Sequence, residues 1–111
     1  MFERVRQGAV DLIRGDLALC ADQVNGVAQL MEECLQDGQP YAVMNLEKVP
    51  LIDSAGLELL VDCRERFEQL GGTLKLAAPS PLCEEILSVT GVAEGFEIFE
   101  EASLAVGSFV R

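Results

Sequence analysis

The segment Tyr41-Ala42-Val43-Met44-Asn45-Leu46 places the tightest limit on how this chain folds. It is nearly continuous in apolar residues, with Pro40 before it and Pro50 in the loop that follows. A strand of that composition has no face to give to water, so it belongs inside a sheet covered on both faces. The preceding segment has the periodicity of such a cover. Val24, Val27, Ala28, Met31, Cys34 and Leu35 recur at helical spacing and make one apolar stripe. Asp22 is the expected N-cap of that helix, Gly38 its end, and Pro40 the residue that prevents its return.

The same alternation runs along the rest of the chain. A strand is expected over Ala9 to Arg14, with Val10 and Leu12 on one face and Asp11 and Ile13 on the other. Gly15-Asp16 breaks it, and Leu17-Ala18-Leu19 resumes as a second short strand. A helix opening at Ser54 buries Leu60, Cys63, Phe67 and Leu70, presents Glu58, Asp62, Glu65 and Gln69 to water, and stops at Gly71-Gly72. Thr73 to Ala78 alternates as a strand with Leu74 and Leu76 on one face. Ser80-Pro81 is a cap followed by proline at the first helical position; Ile86 and Val89 are expected to face inward, and Gly91 to end the helix. Phe96 to Phe99 reads as a last short strand. A weak helix follows from about Glu101, with Gly107 and Phe109-Val110 near its end. Strands alternating with amphipathic helices give an α/β fold: one domain over 1–111, a small mixed sheet of four to five strands with about four helices packed against it. A chain of this length buries roughly two-thirds of its unfolded surface, enough for a core without staples.

Charge narrows the partners. Nineteen acidic residues against eight basic ones give a formal net charge of −11. That balance repels phosphate backbones and anionic membranes, and basic residues pair only at Arg4/Arg6 and Arg64/Arg66. Nucleic-acid binding and membrane insertion are not expected. No stretch is long and apolar enough to span a bilayer, and the first residues lack a signal-peptide core, so a soluble, cytoplasmic protein is expected. Cys20, Cys34, Cys63 and Cys83 have no metal-ligand spacing and there is no histidine, so reduced, apolar cysteines and neither metal nor cofactor are expected.

The chemistry of an enzyme is equally hard to assemble. Without histidine the usual serine triad cannot form. Ile52, two residues before Ser54, breaks the nucleophile-elbow pattern, and nothing in the spacing recruits Lys48 or Lys75 as a base. Glycine-rich nucleotide loops are absent as well. Ser54 has two other readings. It can be the N-cap of its helix, bonding the amide of residue 56 or 57. It can also be a phosphate acceptor at a helix entrance, where unpaired amides and the macrodipole favour negative charge.

Gly15-Asp16-Leu17 early in the chain and Ile52-Asp53-Ser54-Ala55-Gly56-Leu57 in the middle resemble the STAS domain of bacterial anti-sigma factor antagonists. Leu70-Gly71-Gly72-Thr73-Leu74-Lys75-Leu76, Ser88-Val89-Thr90-Gly91-Val92 and Phe96-Glu97-Ile98-Phe99 continue the likeness in order, so that it spans roughly 8–106. The resemblance implies a switch that binds an anti-sigma factor which is also a serine kinase, and so releases a sigma factor. It implies phosphorylation of Ser54 by that kinase, separation of the complex, and restoration by a serine phosphatase. The partner surface is then expected at Asp53, Ser54, Ala55, Gly56, Leu57 and Val61; Leu57 and Val61 could instead pack beneath a neighbouring element.

Three positions depart from the family pattern. Ala18 and Asn45 stand where many relatives carry acidic residues, both expected near the serine, and Ala55 replaces a frequent second serine. Fewer carboxylates ease accommodation of a phosphate but remove groups that could orient the serine or guide a kinase. The alternative function keeps the fold and drops the switch: a constitutive scaffold or regulatory subunit of a transporter or stress-signalling assembly.

Overall fold

The apolar segment forms the central strand its composition demands, β3 (Tyr41–Asn45). In the computed structural model, which describes residues 1–36 and 40–109, it is the third of five strands ordered β1-β2-β3-β4-β5. Parallel to it on either side run β2 (Val10–Arg14) and β4 (Thr73–Ala77), and β5 (Ile98–Phe99) continues parallel to β4. The first strand, β1 (Glu3–Gln7), pairs antiparallel with β2 through a tight turn at Gly8, whose φ of +64° favours glycine. The mixed sheet is as expected.

Helices α1 (Ala21–Leu35), α2 (Ser54–Gln69) and α3 (Pro81–Val89) each connect one parallel strand to the next. Every crossover steps the same way across the sheet, so right-handed connections put all three on one face. There Val27, Met31, Leu60, Phe67 and Leu87 pack against Ile13, Met44, Leu46, Leu74 and Leu76. A short helix, α4 (Ala102–Gly107), covers the reverse face over Val10, Leu12, Val43 and Ala77. Ala42 and Met44 thus serve one core and Val43 the other, which is why β3 has no polar side.

Several local expectations need correction. No strand is expected at β1, because Glu3-Arg4-Val5-Arg6-Gln7 is polar and its pairing is set across the hairpin. Leu17 to Leu19 forms no strand; only Leu19 makes a bridge, to Ile52. Cys20, not Asp22, is the N-cap of α1, and Asp22 lies exposed in the first turn. Leu70 is 49% exposed because it is the C-cap of α2, past the packed stripe, whereas Leu59 is buried. Val89 is 77% exposed: Cys83 and Leu87, four residues apart, set the inward side of α3, and Val89 is more than half a turn on from Leu87. The last strand shortens to Ile98–Phe99. Gly38 and Val110 lie outside the described residues.

Helix punctuation otherwise follows the sequence. Gly71 and Gly72 donate to the carbonyls of Glu68 and Phe67, closing α2 in a Schellman turn with Gly71 at φ +76°. Ser80 Oγ accepts from the Cys83 amide, 3.2 Å, and Pro81 is the first residue of α3.

Candidate functional site

The entrances of α1 and α2 are brought side by side by a strip of backbone pairing. Leu19 N–H donates to Leu51 O at 2.9 Å, and Asp53 N–H returns a bond to Leu19 O at 3.2 Å. Gly56 makes this approach possible: a Cβ there would stand 2.2 Å from the Leu19 carbonyl oxygen. Asp53 then caps both helices. Its Oδ1 accepts from the Gly56 amide at 2.9 Å and its Oδ2 from the Ala21 amide of α1 at 3.3 Å. One carboxylate answers the positive ends of two helices.

Ser54 is therefore not the N-cap. The cap is Asp53, and Ser54 is the first helical residue, with an exposed side chain that makes no hydrogen bond among the described residues. The Ser54 and Ala55 amides are likewise unpaired among those residues, as expected for a first turn whose next two amides are taken by Asp53. Along α2, Leu57 is half-buried against the main core and Val61 is half-buried. Asp53 and Ala55 are also half-buried, while Gly56 is buried and serves packing. Of the six residues expected to form a partner surface, Ser54 is the exposed one.

Ala18 immediately precedes the Leu19 bridge, whereas Asn45 ends β3 between Arg14 and Ala77. The Asn45 Oδ1 accepts from the Glu47 amide at 3.1 Å, which turns the chain out of the strand. It lines a cavity of about 380 Å³ with Arg14, Asp16, Glu47 and Lys48, and Ser54 does not reach that cavity.

Two buried charges escaped the sequence reading. Asp11 is 1% exposed and accepts from Arg4 Nε at 2.9 Å and Arg6 Nη1 at 3.2 Å. The hydrogen bond that Arg4 donates to Asp11 raises the pKa of its guanidinium above the ordinary value. The signal was Arg-Val-Arg across a hairpin from Asp11, legible only once β1 is paired. Lys75 lies in β4 on the α4 side and donates to Ser108 Oγ at 2.7 Å, with its Nζ 4.1 Å from the Phe109 ring centre and 3.8 Å from Glu97 Oε1. A lysine inside Leu74-Lys75-Leu76 was the available cue. It is paired to Ser108 rather than Ser54, and Ser108 Oγ in turn donates a hydrogen bond to the Ala105 carbonyl at 2.6 Å.

The cysteines carry no disulfide, and the described residues contain no cluster suited to a metal ion. Burial pushes the Cys34 thiol up to about 12 and the Cys63 thiol up to about 11, which keeps both neutral. No helix among the described residues is long and apolar enough to cross a membrane.

Known proteins share this fold. SpoIIAA, an anti-sigma factor antagonist, in its unphosphorylated form has a TM-score of 0.84 at 18% identity, over 97% of this chain and 95% of that one. The phosphorylated form of SpoIIAA, a Bacillus cell fate determinant, has a TM-score of 0.77 at 19% identity over the whole of both chains. A candidate anti-sigma factor antagonist from Thermotoga maritima has a TM-score of 0.90 at 22% identity, over 99% of this chain and 95% of that one. Part of the murine Slc26a9 anion transporter has a TM-score of 0.78 at 16% identity, covering 92% of this chain and 18% of the transporter. These likenesses are of fold. No curated protein sequence matches. The STAS domain model matches residues 3–105, and the chain belongs to that family.

Proposed function

We propose that this chain is an anti-sigma factor antagonist: it binds an anti-sigma factor with serine kinase activity, and phosphate on Ser54 ends the complex. The observation that carries the reading is the exposed Ser54 hydroxyl at the first position of α2, beside a carboxylate cap and one turn before Leu57. A phosphate there adds about −1.5 to −2 charges next to Asp53. The unpaired Ser54 and Ala55 amides and the ends of two helices offset that charge locally, so the fold tolerates it. A partner that has desolvated the same spot does not, because like charge and bulk are forced into a closed interface. The switch therefore acts at the interface, with a serine phosphatase restoring the binding form, and the chain itself performs no catalysis.

The test is binding of a purified anti-sigma kinase to wild type, Ser54→Ala and Ser54→Asp. Ser54→Ala remains bound in the presence of ATP, and Ser54→Asp binds at least about tenfold more weakly. Equal binding by all three overturns the switch. Amide spectra of phosphorylated protein and Ser54→Ala should agree outside the Ser54 region; widespread change refutes an interface mechanism.

The scaffold reading draws on Ala18 and Asn45, which remove two carboxylates, and on the likeness to part of an anion transporter. It predicts a stable partner without a kinase domain and no effect of Ser54→Ala.

A further inference from the structure

The geometry points to a second docking surface, the cleft between α3 and the free edge of β5, which takes an extended segment of a partner protein carrying basic residues around an apolar anchor. The backbone comes first. β5 is an edge strand, paired on one side only, with β4. Glu97 O and Phe99 O accept from Leu76 and Ala78, so the intervening Ile98 turns its amide and carbonyl to the open edge. An edge of that kind is a template for one more strand. Its two-residue length allows only a few backbone bonds, so side chains must select the occupant.

The side chains set the chemistry. A cleft of about 580 Å³ runs beside the edge, with Ala78, Ile98 and Phe99 as apolar lining. Glu84 contributes from the α3 wall and Glu100 from the β5 wall, both exposed. Between Lys75 and Arg111 the sequence has six glutamates (Glu84, Glu85, Glu94, Glu97, Glu100 and Glu101) and neither lysine nor arginine. An apolar slot flanked by Glu84 and Glu100, with neither lysine nor arginine in its lining, selects a segment whose basic residues flank an apolar side chain seated on Ile98. A second copy of this chain is disfavoured, since each copy brings a net charge of −11. Ser54 does not line this cleft, so occupancy is independent of the Ser54 switch.

The probe is a fluorescein-labelled hexapeptide, Lys-Val-Arg-Val-Lys-Val, titrated into the full chain by anisotropy and by amide chemical shifts. Expected are shifts centred on Ile98, Phe99 and Glu100, binding unchanged in Ser54→Asp, and at least tenfold weaker binding in the Glu84→Lys/Glu100→Lys double variant. The control variant Glu58→Lys/Glu65→Lys alters charge equally on the exposed side of α2 and should retain affinity within about twofold. Equal weakening by both pairs would mean general attraction to an acidic protein and overturns the proposal. Shifts centred on α2, or equal binding of a peptide with glutamate in place of its lysines and arginine, also overturns it, as does absence of binding. Concentration-dependent mass without peptide, abolished by the Glu84→Lys/Glu100→Lys pair, would assign the cleft to a second copy and reject the partner segment.

Discussion

The two faces of the sheet are held by different means. Among the described residues, twenty buried apolar residues make one continuous cluster beneath α1, α2 and α3, against five beneath α4. The large face is redundant, with many contacts sharing the load. The small face depends on a few particular groups: the bond from Lys75 to Ser108, the Lys75 ammonium over Phe109, and Tyr41 with its ring centre 5.1 Å from that of Phe109. Handed crossovers supply the asymmetry by sending three helices to one side. The candidate site is mounted on the rim of the redundant face, where Asp53 ties two helix starts together. Ser54 stands exposed on that mount, at the first position of α2.

Truncation should separate the faces most strongly. Phe67→Ala in the main core is expected to cost about 3–5 kcal/mol, and Leu12→Ala on the reverse face about 2 kcal/mol, because α4 has more freedom to settle into the gap. Denaturant unfolding of both variants checks this; equal losses erase the contrast. Lys75→Met comes next, at about 1.5–3 kcal/mol, the range for hydrogen bonds to charged groups. Hydrogen exchange should then show α4 opening while α1 to α3 remain protected, and uniform loss of protection would make α4 integral to the whole.

Asp53→Ala sharpens the comparison at the rim. Loss of a helix cap costs about 0.5–2 kcal/mol. The distinguishing readout is faster exchange at both Ala21 and Gly56, since one carboxylate serves both amides. A change at Gly56 alone would remove α1 from the arrangement.

The smallest effect concerns the thiols of the large face. Burial raises Cys34 to about 12 and Cys63 to about 11 from an ordinary 9.0. Their neutral forms therefore lend full stability below about pH 9. That contribution falls as pH climbs, because the unfolded thiols ionise first. Iodoacetamide at pH 8 should label the half-buried Cys20 well before Cys34 or Cys63, which react at the rate of opening. Simultaneous labelling would show that the main face is not closed.

Much of this was legible in one dimension. The stripe from Val24 to Leu35, the alternation of Leu74 and Leu76, the Ser80-Pro81 start and the Gly71-Gly72 stop are local codes, and each forms as read. Where reading failed, the deciding partner was distant in sequence. Val89 is as apolar as Leu87, and only the direction of the sheet tells which faces in. Ser54 and Asp53 are both good caps by type, and the choice went to Asp53, which could also reach the Ala21 amide. Asp11 looked like the polar side of a strand until Arg4 and Arg6 came across the hairpin.

Taken by itself, the order of residues determined the succession of strands and helices, the mixed α/β class and the serine at the mouth of α2, because periodicity and capping act within a few positions. Tertiary structure alone decided that α1 and α2 share one carboxylate, that Lys75 bonds the end of α4, and that the edge of β5 lies beside Glu84 and Glu100. Those outcomes depend on charges and backbone groups meeting across tens of residues, where the cost of leaving a buried polar group alone, rather than local propensity, selects the partner.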